Sequence, residues 1–505
     1  MKKSRIALLL GCSSLAFSLT GVPFAAVAES QLLVEGRIRE VMAMDLDGDS
    51  LRDLVVLSVS GHSTEAKRRV SVFWQRARRK FREQPDTVWD LDPSITALDL
   101  FADPTRPEEE SPLYSLRSDG VYLHHFHRDG RIDSRQILQA SLPHLIPANE
   151  SVAVFDFVAA WSGREQEILV PDFPHPRLFR FQGGSSSDSV ALSTSPVASY
   201  RSSPSTLGMA TSTLNTSYSF STPVSADQDG DDRKEIVFVE RNRVTVFDSI
   251  RQASLQDSPA KRVYPVRLLT DEEASSDRYS IRSQLVDLDG NGRLDLVTAV
   301  YRGTAVLELT GRIMIFRARP DGSFERDADQ VLQLDDALYN MTQVLDLDGD
   351  GTKEIVVPSA KIGLWGYLRL LTTRKTSFSF NTLSLGPEGR FDPGKVIRDS
   401  MTVRLSQSYD LPVVALADTC GDGLLDLVIG RGEDQVCIHD DDPQQARRRF
   451  TPRPRSCFKT DPYARFLHAD MDGDRKEELI RYGTMGEERS RVVLTFLEDC
   501  SDRRN

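Results

Sequence analysis

Short apolar runs recur along the whole chain, and none is long enough to suggest a packed helix. Arg69-Val-Ser-Val-Phe-Trp74, Arg243-Val-Thr-Val-Phe247 and Arg312-Ile-Met-Ile-Phe316 alternate polar and apolar positions. Period-two alternation puts one set of side chains on a buried face, and it predicts amphipathic strands. A second kind of run is apolar at nearly every position: Leu54-Val-Val-Leu57, Ile236-Val-Phe-Val239 and Leu427-Val-Ile429. Such runs predict strands buried on both faces. The recipe repeats as strand, acidic loop, buried strand, turn, amphipathic strand and a weaker outer strand.

The acidic loops carry the strongest local signal. In the stretch from Val344 to Pro358, Asp346, Asp348 and Asp350 occupy alternate positions and Glu354 follows four residues on. Crowded carboxylates repel one another, so this spacing suits a hard cation bound through oxygen, and Ca²⁺ is the expected ion. An EF-hand would need its bidentate Glu at the twelfth position, where Val357 stands, and helical rather than strand-like flanks. The same spacing recurs at Asp45, Asp47, Asp49 and Asp53; at Asp227, Asp229, Asp231 and Glu235; at Asp287, Asp289, Asn291 and Asp295; and at Asp470, Asp472, Asp474 and Glu478. A sixth copy runs from Asp418 through Cys420 and Asp422 to Asp426, with a sulfur that hard Ca²⁺ disfavours in place of one carboxylate. The metal reading covers the other five loops, with the ion stabilising the fold rather than performing chemistry.

Successive loops lie about 50 to 70 residues apart, except for the long gap between Asp45 and Asp227, which has room for three units. Two degenerate repeats are expected there. One starts at Ile95–Phe101, with Asp99 at the first-ligand position, and the other at Ser151–Phe157; neither keeps the acidic cluster. The last unit has only three strands before the chain ends, and Gln31-Leu-Leu-Val34 could supply the fourth and close a ring. The Ser/Thr-rich stretch 183–222 reads as a long loop or a loose outer strand. Repeats of four short strands predict an all-β fold, a single β-propeller of eight four-stranded antiparallel blades, with seven blades as the alternative.

The pattern D-x-D-G-D-x-x-x-[DE] before a Leu/Ile-Val run resembles FG-GAP/VCBS repeats, the units of integrin-α-like β-propellers. The resemblance spans essentially all of residues 29–505, in six units by motif and in two by strand pattern only. It implies calcium held between the first and second strands of a blade, and Asn291 and Cys420 are the departures from the family's ligand set.

Composition adds an address. Lys2, Lys3 and Arg5 precede a largely apolar stretch, and Ala26-Val-Ala28 offers a cleavage site, so residues 1–28 read as a signal peptide. Leu9-Leu-Gly-Cys12 also resembles a lipobox, which leaves lipid anchoring at Cys12 as the minority reading. No later segment has the length of a membrane span. The expected location is secreted, periplasmic or on the surface of a bacterium. The formal charge of −12 would fall to about −15 on loss of the three basic leader residues, a poor balance for nucleic acid or anionic lipid. Of the remaining cysteines, strand order predicts Cys437–Cys457 as neighbours on adjacent strands and Cys420–Cys500 on one rim.

Other chemistry is thin. His125 and His127 share a strand face and could share a transition metal, although bystander histidines are commoner. Basic runs at 67–69, 76–80 and 447–449 read as solvated hairpin tips, or as contacts to an anionic glycan. Nucleophile-elbow, zincin and phosphate-loop motifs are lacking. The leading expectation is therefore a binding or adhesion scaffold for a protein or carbohydrate. The rival is a calcium-stabilised polysaccharide lyase or other glycan-active enzyme working in the central channel.

Overall fold

The structure is a computed structural model and describes residues 28–61, 66–101, 111–145, 152–159, 161, 167–182, 185–194, 197–203, 213–219, 223–240, 242–248, 260–274, 279–302, 310–360, 370, 372–406, 411–431, 434–442, 448–483 and 489–497. Its strands form eight blades of four antiparallel strands arranged in a ring. Blade one holds Arg37–Met44, Asp53–Ser60, Lys67–Phe73 and Thr87–Asp90. Blade four holds Val224–Ala226, Glu235–Glu240, Arg243–Phe247 and Lys261–Pro265. Blade five holds Tyr279–Val286, Asp295–Arg302, Thr310–Phe316 and Gln330–Leu332. Blade six follows with Gln343–Leu345, Glu354–Ala360, Lys375–Leu383 and Ile397–Arg404, and blade seven with Val414–Ala417, Asp426–Arg431, Gln435–His439 and Ser456–Lys459.

The second strand of each blade is apolar throughout because neighbours cover both of its faces. Asp53–Ser60 is buried from its first residue to its seventh. The core is divided into one cluster per seam: Ile38, Val56, Met471 and Phe496 join blade eight to blade one, and Val55, Trp74, Leu98 and Phe126 join blade one to blade two. Fully burying side chains of this size contributes roughly 1.5–3 kcal/mol each, so every blade depends on both neighbours.

Blade eight comprises Arg465–Ala469, Glu478–Tyr482 and Arg491–Phe496, and its fourth strand is Ala28–Leu33 from the other end of the chain. The register pairs Leu32 with Val492 and Gln31 with Val493, so the ring closes as the sequence anticipates. The borrowed strand covers the edge that Arg491–Phe496 would otherwise expose.

The two degenerate units are present, with changes of detail. Blade two is Ala97–Leu100, Leu113–Arg117, Gly120–Phe126 and Ile132–Gln139, and Ala153–Val154 adds a fifth strand parallel to Ala97–Leu98. The stretch 151–157 is therefore not the first strand of blade three. That strand is Val158–Ala159, followed by Glu167–Val170, Arg177–Gln182 and Ser185–Ala191. The Ser/Thr-rich region supplies that outer strand, one of the two readings of this stretch, and then adds a separate hairpin, Val197–Ser203 with Thr213–Ser219, that the sequence did not suggest. Short polar strands of this kind carry almost no periodic apolar signal.

Candidate metal centres

Chain reversal puts the first-to-second-strand loops and the third-to-fourth-strand turns on the same rim. The six acidic loops lie there, and the plan they follow in whole or in part is clearest at Asp45. The first Asp accepts hydrogen bonds from the amides three to five residues on: Gly48, Asp49 and Ser50 donate to Asp45, and Gly473, Asp474 and Arg475 donate to Asp470. The fifth-position carboxylate faces solvent and accepts the amide two residues later, as Asp49 does from Leu51 at 2.9 Å. The ninth-position acid is buried and accepts the second-position amide: Leu46 donates to Asp53 at 3.1 Å, Gln228 to Glu235 at 2.7 Å, Leu347 to Glu354 at 2.9 Å and Met471 to Glu478 at 2.9 Å.

Four loops bring the acids at positions one, three and nine within 4.8 Å of one another: Asp45, Asp47 and Asp53; Asp227, Asp229 and Glu235; Asp346, Asp348 and Glu354; Asp470, Asp472 and Glu478. The fifth-position residues Asp49, Asp231, Asp350 and Asp474 are not part of these groups. The acids of the Asp287 loop do not form such a group, and Arg317 stands 2.6 Å from Asp295 and 3.4 Å from Asp289. Asn291 there accepts the amide of Arg293 at 2.8 Å. At the Asp418 loop, Cys420, Asp426 and Asp440 come together around Arg455, which lies 2.8 Å from Asp440 and 3.4 Å from Asp426.

Burial lifts the ninth-position acids above the usual carboxylate range. Asp53 is pushed up to about 8, and Glu235, Glu354 and Glu478 to about 7, by desolvation with help from neighbouring carboxylates. Third-position acids show a different strain. Oδ1 of Asp47, Asp229, Asp348 and Asp472 is buried without a hydrogen-bond partner, and Asp472 as a whole is only 4% exposed. An oxygen in that state is expensive unless a cation fills the gap.

The loops also touch one another around the ring. The amide of Arg52 donates to the carbonyl of Met471, that of Lys353 to Leu288, and that of Leu425 to Leu347, each joining one blade's loop to the next at 2.9–3.0 Å. A Cβ on Gly349, whose φ is +70°, would meet the Gly423 carbonyl of the next loop at 3.0 Å. Close approach as well as positive φ therefore requires glycine at this loop position.

Arginines from neighbouring blades complete the rim, and these the sequence did not disclose. Arg79 of blade one reaches Asp472 and Asp474 of blade eight at 3.0 Å each. Arg128 of blade two bonds Asp47 and Asp49 of blade one. Arg449 of blade seven reaches Asp348 of blade six at 3.2 Å and its own Asp441 at 2.6 Å. Two of the three come from basic runs read as solvated tips, which is corrected here for Arg79 and Arg449. All sit at irregular distances beyond their third strands, which end at Phe73, Phe126 and His439, so no spacing rule could have marked them.

Asp99, in the first-ligand position of the degenerate second unit, has become a staple. It accepts the amides of Phe157 and Val158 from blade three at 2.8 and 2.7 Å. Among the described residues the histidines of blade two form no metal cluster. His124 is buried between Ser115 and Ser134, and His127 pairs with Asp133 at 2.8 Å. Cys437 and Cys457 stand directly opposite on neighbouring strands and are disulfide-bonded. Cys420 is disulfide-bonded too. The proposed partner Cys500, like Cys12 and the leader, lies outside the described residues.

Ring, blade plan and rim of acidic loops define the class of protein: an eight-bladed β-propeller with acidic loops between the first and second strands of six blades. Residues 287–357 match the FG-GAP-like repeat family, so the chain carries an FG-GAP-like repeat across its fifth and sixth blades. No curated protein matches the chain. Among solved structures it is similar to Sqt1 from Chaetomium thermophilum, at 13% identity over 94% of this chain and 100% of that one, with a TM-score of 0.45. It is also similar to the exotype rhamnogalacturonan lyase YesX, at 14% identity over 94% of this chain and 75% of that one, with a TM-score of 0.33. The Nup133 β-propeller domain of Vanderwaltozyma polyspora covers 79% of this chain and 94% of its own at 8% identity, with a TM-score of 0.36.

Proposed function

We propose that the protein is an exported, calcium-stabilised β-propeller that serves as a binding or adhesion scaffold for a protein or glycan at the cell surface. The observation that carries the metal reading is the buried, unpartnered Oδ1 of Asp472 and its counterparts Asp47, Asp229 and Asp348, each beside two more carboxylates. Formal charge points the same way. In the blade-eight loop, Asp470, Asp472, Asp474 and Glu478 face two cationic side chains, Arg79 and Lys476. The balance is two negative charges, which one Ca²⁺ would cancel. The acids at positions one, three and nine would hold the ion, and its contribution would be charge neutralisation and a pinned turn rather than catalysis. Five loops would hold ions, and the Asp287 loop, whose acids do not group and whose Asp289 and Asp295 pair with Arg317, would hold its ion most weakly.

Export is supported by the basic and apolar leader with its small-residue cleavage site, and by the Cys437–Cys457 bridge, which persists in an oxidising compartment. A rigid ring presenting loops on its rims suits binding.

Calorimetry with and without EGTA, paired with elemental analysis, tests the metal. Chelation should lower the melting temperature reversibly, and a calcium-free protein with an unchanged melt would remove this part of the reading. A glycan array with and without Ca²⁺, read beside a polysaccharide-cleavage assay, tests the scaffold; cleavage products would favour the enzyme instead.

A further inference from the structure

We propose that the groove between blades six and seven binds the oxyanion of a small acidic ligand, such as the carboxylate of a uronic acid. This names a ligand class for the scaffold and rests on the binding reading above, but not on the metal. The groove, about 440 Å³, is lined by Lys375, Arg404, Arg431 and His439 together with the hydroxyl-bearing Ser400 and Thr402. Among the described residues no acidic side chain lines it, in a chain whose formal charge is −12. Volumes of a few hundred Å³ suit one or two sugar rings.

The cations are held rather than scattered. Lys375 stands directly opposite Arg404 in the antiparallel register of blade six. Tyr463 donates to the Arg404 carbonyl at 2.9 Å, tying the end of that strand to the link between blades seven and eight. Lys375 and Arg431, both exposed, enter no ion pair among the described residues. Their charge is therefore available to a ligand.

Polar groups for the rest of the ligand lie alongside. His439 is 3% exposed and donates from Nδ1 to the Thr451 carbonyl at 2.7 Å. Burial and the nearby Arg431 lower its pKa, so the ring is neutral and Nε2 is left as an acceptor for a hydroxyl. Ser400 lies 2.7 Å from Ser379 and can pass a hydrogen bond onward. Oxyanion-binding cations beside hydroxyl partners match a sugar acid better than a neutral sugar or an apolar molecule.

Titration calorimetry of the whole protein at low salt with glucuronate, glucose and sodium sulfate tests this, using wild type, Lys375→Gln and Arg431→Gln. Both substitutions are at exposed positions, and a melt of each variant checks that the ring is intact. Saturable binding of glucuronate, silence with glucose, and a loss on the order of tenfold in each variant are expected. Glucuronate binding more tightly than sulfate would support a sugar acid as the ligand, and equal affinity would support a simple inorganic anion in the same site. Failure of both anions to saturate the wild type, or unchanged affinity in both variants, would overturn the site. Array glycans held equally by wild type and variants would overturn the groove and leave the scaffold reading standing.

Discussion

Removing the guanidinium of Arg79 probes the joint on which the ring depends. Arg79 belongs to blade one, yet its Nε and Nη2 bond Asp472 and Asp474 of blade eight at 3.0 Å, and its head lies 5.7 Å from the Phe496 ring centroid. The seam it crosses is the one where the chain's two ends meet. A charge-assisted hydrogen bond is worth roughly 1.5–3 kcal/mol net, but Arg79 is one-third exposed, so water screens part of that. For Arg79→Ala we expect a loss of about 2–3 kcal/mol in metal-free protein. With about 2 cal/mol/K of unfolding entropy per residue, a chain of this size should lose about 2–3 °C in melting temperature. In calcium the loss should be smaller, because the ion neutralises the carboxylates the arginine leaves behind. Removing a competing positive charge should also tighten calcium binding at that loop. Scanning calorimetry of wild type and variant, each in EGTA and in calcium, reads both effects. Equal losses in the two buffers, or no loss in EGTA, would refute the idea that the arginine and the ion serve the same carboxylates.

The buried ninth-position acids make a second, signed prediction. Asp53 is raised to about 8 and Glu235, Glu354 and Glu478 to about 7, chiefly by burial, so in metal-free protein they keep protons that the unfolded chain releases above about pH 4. The native state then binds more protons than the unfolded one, and stability must fall as pH rises from about 5 to about 8. Melts in EGTA across that interval should show the fall, calcium should abolish it, and a rise in EGTA would contradict it. Asp99→Ala strips two amides at 2.7–2.8 Å of their acceptor between blades two and three, and should cost about 2–4 kcal/mol in urea denaturation. Breaking the Cys437–Cys457 bridge, which spans 20 residues, should cost about 3 kcal/mol in the chain-entropy model. Non-reducing peptide mapping should recover those two cysteines in one linked pair.

The strand plan was legible in the sequence because each blade repeats the same physical demand. An inner strand covered on both faces must be apolar throughout, and its neighbours must alternate, so Leu54–Leu57 and Arg69–Trp74 declare their places before any contact is known. Repetition of that pattern set the blade count and exposed the missing strand that Ala28–Leu33 supplies. The acidic spacing was legible for the same reason, since carboxylates at alternate positions of one loop are neighbours along the chain. What the tertiary structure decided is how neighbouring blades meet. Which loop acids converge, that Arg317 pairs with two acids of one loop, that Arg79, Arg128 and Arg449 bridge to the adjacent blade, and that Asp99 holds a seam all depend on residues far apart in the chain. So does the groove that Lys375 of blade six and Arg431 of blade seven line together. Local spacing encodes a blade, but contacts between blades involve side chains at no fixed separation, and only the closed ring brings them within reach.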